Sequence, residues 1–236
     1  MKVIAIILAR GGSKGLPRKN LRSLDGETLI ERAIRHARSA EYVGTVLVST
    51  DDPEIASVAS HAGAVVPFLR PQNLAGDLST TEEALQHALL TYEECSGNVF
   101  DTVVFLTTTD IFRESRWIDE AVERLRRFPA LESVFVGHRT HKNFWEQKED
   151  GTWVRLRDWM SVYASRQIRR TIVREDTGLT CATRAHLVRQ GRRTGDRVEI
   201  IVNDDDFTGI DIHHEEDLAL AEAALEIRKL KRNPEQ

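Results

Sequence analysis

The chain has 236 residues, with 33 Lys+Arg against 37 Asp+Glu and a formal net charge of −4. With 41% hydrophobic and 30% charged residues it has a globular composition, which excludes general disorder, and its slight acidity argues against a nucleic-acid partner. The apolar run Val3 to Ala9 is far short of the roughly 20 residues of a membrane span, and the two cysteines, Cys95 and Cys181, are too few for a disulfide framework or a structural zinc site. The expectations are one domain over residues 1–236, no secretory leader, no membrane partner and a cytoplasmic location.

Along the chain, Lys2 to Leu8 is a short β-branched run that breaks at Gly11-Gly12, the pattern of a buried strand. Leu29 to Ala40 carries apolar residues at helical spacing. Val46 to Val48 is a second strand, and the next helix begins at Pro53 with Asp51 or Asp52 as its cap. Ala64 to Phe68 reads as a third strand. Ser79 starts a helix over Thr80 to Glu94, with Glu82 or Glu83 placed for a capping box. Thr102 to Leu106 is a fourth strand, Trp117 to Phe128 a helix and Ser133 to Gly137 a fifth strand. This alternation predicts a parallel sheet with helices on both faces. In such sheets ligands sit beyond the carboxyl ends of the strands, which places Ala9–Asn20, Ser49–Pro53 and Thr107–Arg113 around one crevice.

The rhythm breaks over residues 138–180, a charged segment with Trp145, Trp153 and Trp159 that reads as a lid or an oligomer arm. Leu179 to Thr183 returns as a strand, Arg184 to Arg189 as a short helix and Val198 to Val202 as another strand. A final helix runs from His214 to Leu230.

The segment Leu8-Ala9-Arg10-Gly11-Gly12-Ser13-Lys14-Gly15-Leu16-Pro17-Arg18-Lys19-Asn20 carries the strongest chemical signal. Paired glycines after a buried strand leave backbone N–H groups free to face an anion, and Arg10, Lys14, Arg18 and Lys19 add four cations. This combination suits a triphosphate. It matches neither the Walker A spacing nor G-x-G-x-x-G.

The same loop resembles the nucleotide-binding signature of the acylneuraminate cytidylyltransferase family, which makes CMP-activated sugar acids. Four later blocks are similar in the family's order: Val48 to Ala56; Phe68 to Pro71 with Leu74, Ala75, Asp77 and Ser79; Arg166-Gln167 with Glu175 to Gly178; and Gly209 to Ile212 with Glu216 to Leu218. The resemblance implies an α/β fold, a Rossmann-like nucleotidyltransferase three-layer sandwich with a mostly parallel sheet and a protruding dimerisation arm over residues 138–180. It also implies a homodimer, CTP and a sugar acid as substrates, and Mg²⁺ (or Mn²⁺) as cofactor.

It further implies that Leu8, Ala9, Arg10, Gly11, Gly12, Ser13, Lys14 and Asn20 hold the nucleotide, with Arg70 and Ser79 on the base. For Ser79 a helix cap is an equal alternative. Arg10, Lys19 and Asp211 are the implied catalytic residues, with Lys19 on the α-phosphate. Thr107, Lys142, Arg166 and Gln167 fall on the acceptor side, where an Arg suits a carboxylate.

Two departures stand out. Where the family usually has Gln-Pro-Thr-Ser-Pro-Leu-Arg, this chain has Thr107-Thr108-Thr109-Asp110-Ile111-Phe112-Arg113. Where the family usually has a second metal carboxylate after Asp211, it has His213. Asp211, Asp110 and His213 are therefore the candidate metal ligands, with local capping or pairing with Arg113 as the other reading. A different acceptor or nucleotide, or a nucleotide-binding homologue with weakened catalysis, are the alternative functions.

Overall fold

The computed structural model describes residues 1–165 and 167–232. Its centre is a seven-stranded sheet made by β1 (Val3–Leu8), β4 (Thr45–Ser49), β5 (Thr102–Leu106), β6 (Ser133–Thr140), β9 (Ile172–Glu175), β10 (Cys181–Arg184) and β11 (Val198–Asn203). The spatial order is β11-β6-β10-β5-β1-β4, with β9 also paired to β6. Strands β4, β1, β5, β6 and β11 run in one direction, while β9 and β10 run against them. The sheet is thus mostly parallel, as expected, and its two antiparallel strands are the ones by which the chain returns to the sheet from the 138–180 excursion.

The two-residue period of β1 divides the core. Val3, Ala5 and Ile7 face α1 (Leu29–Arg38), α2 (Pro53–His61) and α4 (Ser115–Arg127), while Ile4 and Ile6 face α3 (Thr81–Ser96) and α5 (Ala185–Arg189). Helices on both faces of one sheet make the three layers. Each fully buried isoleucine of β1 contributes about 1.5–3 kcal/mol relative to exposure. A third cluster lies apart. Leu218, Ala221 and Ala224 of α6 (Glu215–Arg232) cover Leu16, Leu24, Ile111 and Phe112, so the last helix packs on the loops at one end of the sheet. Two hairpins complete the fold, β2 (Ser23–Leu24) with β3 (Glu27–Thr28) and β7 (Trp145–Gln147) with β8 (Trp153–Arg155).

Local sequence explains the helix starts. Thr28 with Glu31 and Thr80 with Glu83 form capping boxes, and Asp52 caps α2 ahead of Pro53. The cap of α3 is therefore Thr80; Ser79, the alternative cap, instead donates its hydroxyl to the Asn73 carbonyl at 2.9 Å. The expected strand Ala64 to Phe68 is reduced to a single bridge between Val65 and Leu47. Pro67 offers no N–H to extend it. The segment still follows β4 and ends with the Arg70 N–H on the Thr50 carbonyl at 2.7 Å. Among the described residues no helix is long and apolar enough to cross a membrane.

Candidate active site

Strands β4, β1 and β5 end side by side, and beyond them lies a crevice of about 560 Å³ lined by the loop after β1, the turn after β5 and residues between Arg70 and Ala84; Ser49–Pro53, expected around it, do not line it. The loop after β1 is anchored at several points. The Ala9 N–H donates to the Ser49 carbonyl at 3.1 Å, and the Gly11 N–H to the Asp51 carboxylate at 3.0 Å. A Cβ at Gly11 would lie 2.7 Å from the Asp52 carboxylate, so the loop passes where only glycine fits. Farther on, Arg18 adopts the left-handed conformation (φ 56°) and turns the chain into a single turn over Lys19–Leu21. That turn delivers Lys19 and Asn20 to the crevice. A non-glycine residue held in this region is uncommon and marks a loop fixed by its surroundings. Here Arg18 pairs with Glu54.

Lys19 is part-buried, and its ammonium donates to the Ile212 carbonyl at 2.9 Å. Burial lowers it from the ordinary lysine range, and Asp211 offsets part of that effect. Buried Asn20 donates to the Arg10 carbonyl at 2.8 Å and accepts the Thr108 hydroxyl at 2.6 Å, joining the loop after β1 to the loop after β5. On the opposite wall stand Arg70 and the first turn of α3. Arg70 is 5% exposed; burial lowers its guanidinium and Asp51, 3.8 Å away, opposes the shift. Its Nε is buried with no hydrogen-bond partner. A buried guanidinium with an unmet donor at a polar crevice is suited to meet a ligand's acceptor.

Of the residues expected at the nucleotide, Leu8, Arg10, Ser13, Lys14, Asn20, Arg70 and Ser79 line this crevice; Ala9, Gly11 and Gly12 belong to the same loop but do not line it. Lys19, Thr107 and His213 line it too. Lys142 and Gln167 do not: both are exposed on the segment beyond β6. Arg166 lies outside the described residues.

The three candidate metal ligands take different partners. The His213 Nε2 and Asp211 Oδ2 atoms are 2.8 Å apart, and both side chains are substantially exposed. Asp110 accepts the Thr107 hydroxyl, and burial pushes its carboxyl up to about 6 against the pull of Arg113. Among the described residues no three His, Cys, Asp or Glu side chains come together as a metal cluster. The fit to a divalent cation is thus a partial one: Asp211 and His213 offer adjacent donors, and phosphate oxygens and water would have to complete the shell.

Several participants are not among the expected site residues; Asp51 is expected only as a candidate helix cap, a place that Asp52 takes. Asp51 holds both Gly11 and Arg70. Asp77 pairs with Lys14 and, at 3.3 Å, with Arg10. His214 packs its imidazole within 2.9 Å of the position a Cβ on Gly15 would take. The signal available for Asp77 was its place in the third block, seven residues beyond Arg70.

The family model described as cytidylyltransferase matches residues 4–228. The chain is 40% identical over 123 residues to CMP-N,N'-diacetyllegionaminic acid synthase of Legionella pneumophila, which covers 52% of this chain and 53% of that one. It is 35% identical over 124 residues to pseudaminic acid cytidylyltransferase of Campylobacter jejuni, with shares of 52% and 53%. It is 35% identical over 141 residues to N-acylneuraminate cytidylyltransferase of Escherichia coli, with shares of 60% and 32%. The match therefore spans about half the length of the first two relatives and less of the third. A solved CMP:2-keto-3-deoxy-manno-octonic acid synthetase, complexed with CTP, superposes with a TM-score of 0.70 at 15% identity, over 97% of this chain and 100% of that one; this is a likeness of fold.

Proposed function

The chain belongs to the cytidylyltransferase family, and from that premise we propose that it activates a sugar acid with CTP, giving a CMP-sugar acid and pyrophosphate. The observation that carries this reading is the convergence of Arg10, Lys14 and Lys19 on one crevice with a buried, part-unpartnered Arg70 across from them. Three cations match a triphosphate. A guanidinium donor matches the O2 and N3 acceptors of cytosine.

In the reaction the acceptor hydroxyl oxygen forms a bond to the α-phosphorus of CTP. The bond from that phosphorus to the bridging oxygen breaks, pyrophosphate leaves, and the hydroxyl proton passes to solvent. Such a transfer needs positioning and charge stabilisation more than covalent help. Lys19, fixed by the Ile212 carbonyl, stabilises charge building on the α-phosphate. Arg10 and Lys14 hold the leaving pyrophosphate, and the Gly11-Gly12-Ser13 backbone lies against the phosphates. Arg70 and Ser79 orient the base. Thr107, Lys142, Arg166 and Gln167 belong to the acceptor side. A Mg²⁺ or Mn²⁺ ion held by Asp211 with His213 beside it, phosphate oxygens and water completing its shell, would supply charge neutralisation at the phosphates; Asp110, turned to Thr107, is not placed with that pair. A homodimer built through residues 138–180, within a single cytoplasmic domain, completes the proposal.

The test is pyrophosphate release with each of the four nucleoside triphosphates across a panel of nonulosonic and ulosonic acids, the legionaminic, pseudaminic and neuraminic kinds first. Turnover with CTP and one of these acids is expected. Turnover with another nucleotide only, or tight CTP binding without turnover on any acid, would sink the reading. The second outcome corresponds to a nucleotide-binding homologue, which the pairing of Asp211 with His213 in place of a second carboxylate would favour.

A further inference from the structure

We propose that Arg113 is a positioning residue, which fixes the acceptor-side wall of the crevice relative to the nucleotide loop. The inference rests on the cytidylyl-transfer reading of the crevice.

Arg113 stands in the turn between β5 and α4 and is 3% exposed. Its guanidinium is spent on backbone. Nη2 donates to the Thr107 carbonyl at 2.7 Å and to the Gly178 carbonyl at 2.5 Å, and Nε donates to the Leu179 carbonyl. Those carbonyls belong to two segments remote in sequence. Thr107 begins the turn after β5, while Gly178 and Leu179 lie in the bulge between β9 and β10. On either side of that bulge the Asp176 N–H donates to the Val136 carbonyl and the Val136 N–H donates to the Thr180 carbonyl. Residues 177–179 are therefore looped out of the β6 ladder and need donors from elsewhere. Arg113 provides them, assisted by the Thr107 N–H on the Gly178 carbonyl at 3.0 Å.

The contact is tight as well as bonded. A Cβ on Gly178 would lie 2.1 Å from the Asp110 carboxylate and 2.9 Å from the Thr107 methyl, so no side chain fits between the two segments. Burying a guanidinium costs several kcal/mol unless its partners are well placed, and an apolar residue would fill the same space without that cost. An Arg here suits a demand for fixed placement better than a demand for packing. The bonds also continue beyond it. Thr108, next to Thr107, donates to Asn20, and Asn20 donates to the Arg10 carbonyl. One polar path therefore runs from the phosphate loop through the turn after β5 and Arg113 to the root of the 138–180 excursion. On the nucleotide side, the bonds of Ala9 to Ser49 and of Gly11 to Asp51 do not involve Arg113. Loss of Arg113 should accordingly disturb the acceptor and spare the nucleotide.

The experiment compares Arg113→Met, Arg113→Lys and Gly178→Ala with the wild type. It measures the CTP Kd by calorimetry, the KM for the sugar acid, and amide hydrogen exchange over residues 9–20 and 176–180. In Arg113→Met the sugar-acid KM is expected to rise about tenfold to a hundredfold while the CTP Kd stays within about twofold. Arg113→Lys, which keeps the cation but cannot reach all three carbonyls, recovers part of the loss. Gly178→Ala, which keeps Arg113 and moves the wall by overlap, raises the same KM and serves if Arg113→Met does not fold. An unchanged acceptor KM in folded Arg113→Met, or an equal loss on CTP and acceptor, would overturn the inference. If the wild type turns over no sugar acid, the reading of the reaction fails. The positioning claim is then still decided by exchange, which must rise over 176–180 in Arg113→Met and stay unchanged over 9–20.

Discussion

Asp77 bridges the two cations proposed for the phosphates. Its carboxylate pairs with Lys14 and Arg10, the two side chains proposed for the leaving pyrophosphate, so an incoming triphosphate must displace an internal anion. Both pairs are solvent-exposed and screened, so each holds its cation only weakly. Asp77→Asn should therefore lower the CTP KM by about twofold to fivefold with kcat unchanged. Steady-state kinetics at low salt checks this; a raised KM would show instead that Asp77 organises the cations for the nucleotide. At this scale the cationic loop was legible, because glycines and basic residues after a buried strand have few other uses. Asp51, Asp77 and Arg113 were not legible as actors. Their roles depend on partners 40 to 67 positions away, and no spacing rule reports such pairs.

Among the elements, β9 shows how the returning end of the 138–180 excursion is hung on the sheet. It pairs antiparallel with the outer half of β6 through Gly137↔Glu175 to Thr140↔Ile172. Gly137 makes the close approach possible: a Cβ there would stand 2.4 Å from the Val173 methyl, 2.9 Å from the Arg174 carbonyl and 2.9 Å from Ile200. Gly137→Ala should destabilise the protein by about 1–3 kcal/mol through overpacking and release β9 before the core. Urea unfolding gives the first quantity. Hydrogen exchange confined to residues 172–180 gives the second, and uniform exchange across the sheet would contradict it. Most helices and core strands were readable from apolar period and caps. The segment at Ala64–Phe68 misled because β-branched content resembles a strand while Pro67 denies it a ladder. The reversal of β9 and β10 was invisible, since strand direction follows from the path of the intervening segment rather than from composition.

For the molecule as a whole, two shifted groups set opposing slopes of stability with pH. Burial, reinforced by Arg113, Arg35 and Arg32, lowers His36 from 6.5 to about 3. Its contribution is complete above about pH 6.5 and is lost as pH falls toward 3, because the unfolded state takes up the proton first. Asp110 is raised from 3.8 to about 6, so its contribution is complete below about 3.8 and lost as pH rises through about 6. Between about pH 6 and 4 the two oppose each other. His36→Gln keeps a polar partner for Ser115 but removes one slope, so Tm should rise from pH 6 to 4 relative to the wild type. Thermal melts at pH 7, 6, 5 and 4 decide it; parallel curves for the two proteins would count against the His36 shift. The rung Thr140↔Ile172 has another consequence for the molecule. The chain leaves the sheet at Thr140 and returns at Ile172 on a neighbouring strand, so both ends of the intervening stretch are fixed a strand's width apart. Whatever residues 141–171 become, the core sees the same two endpoints. That stretch can change in length or shape without altering the ladder at either end, and the cationic loop after β1 stays as it is.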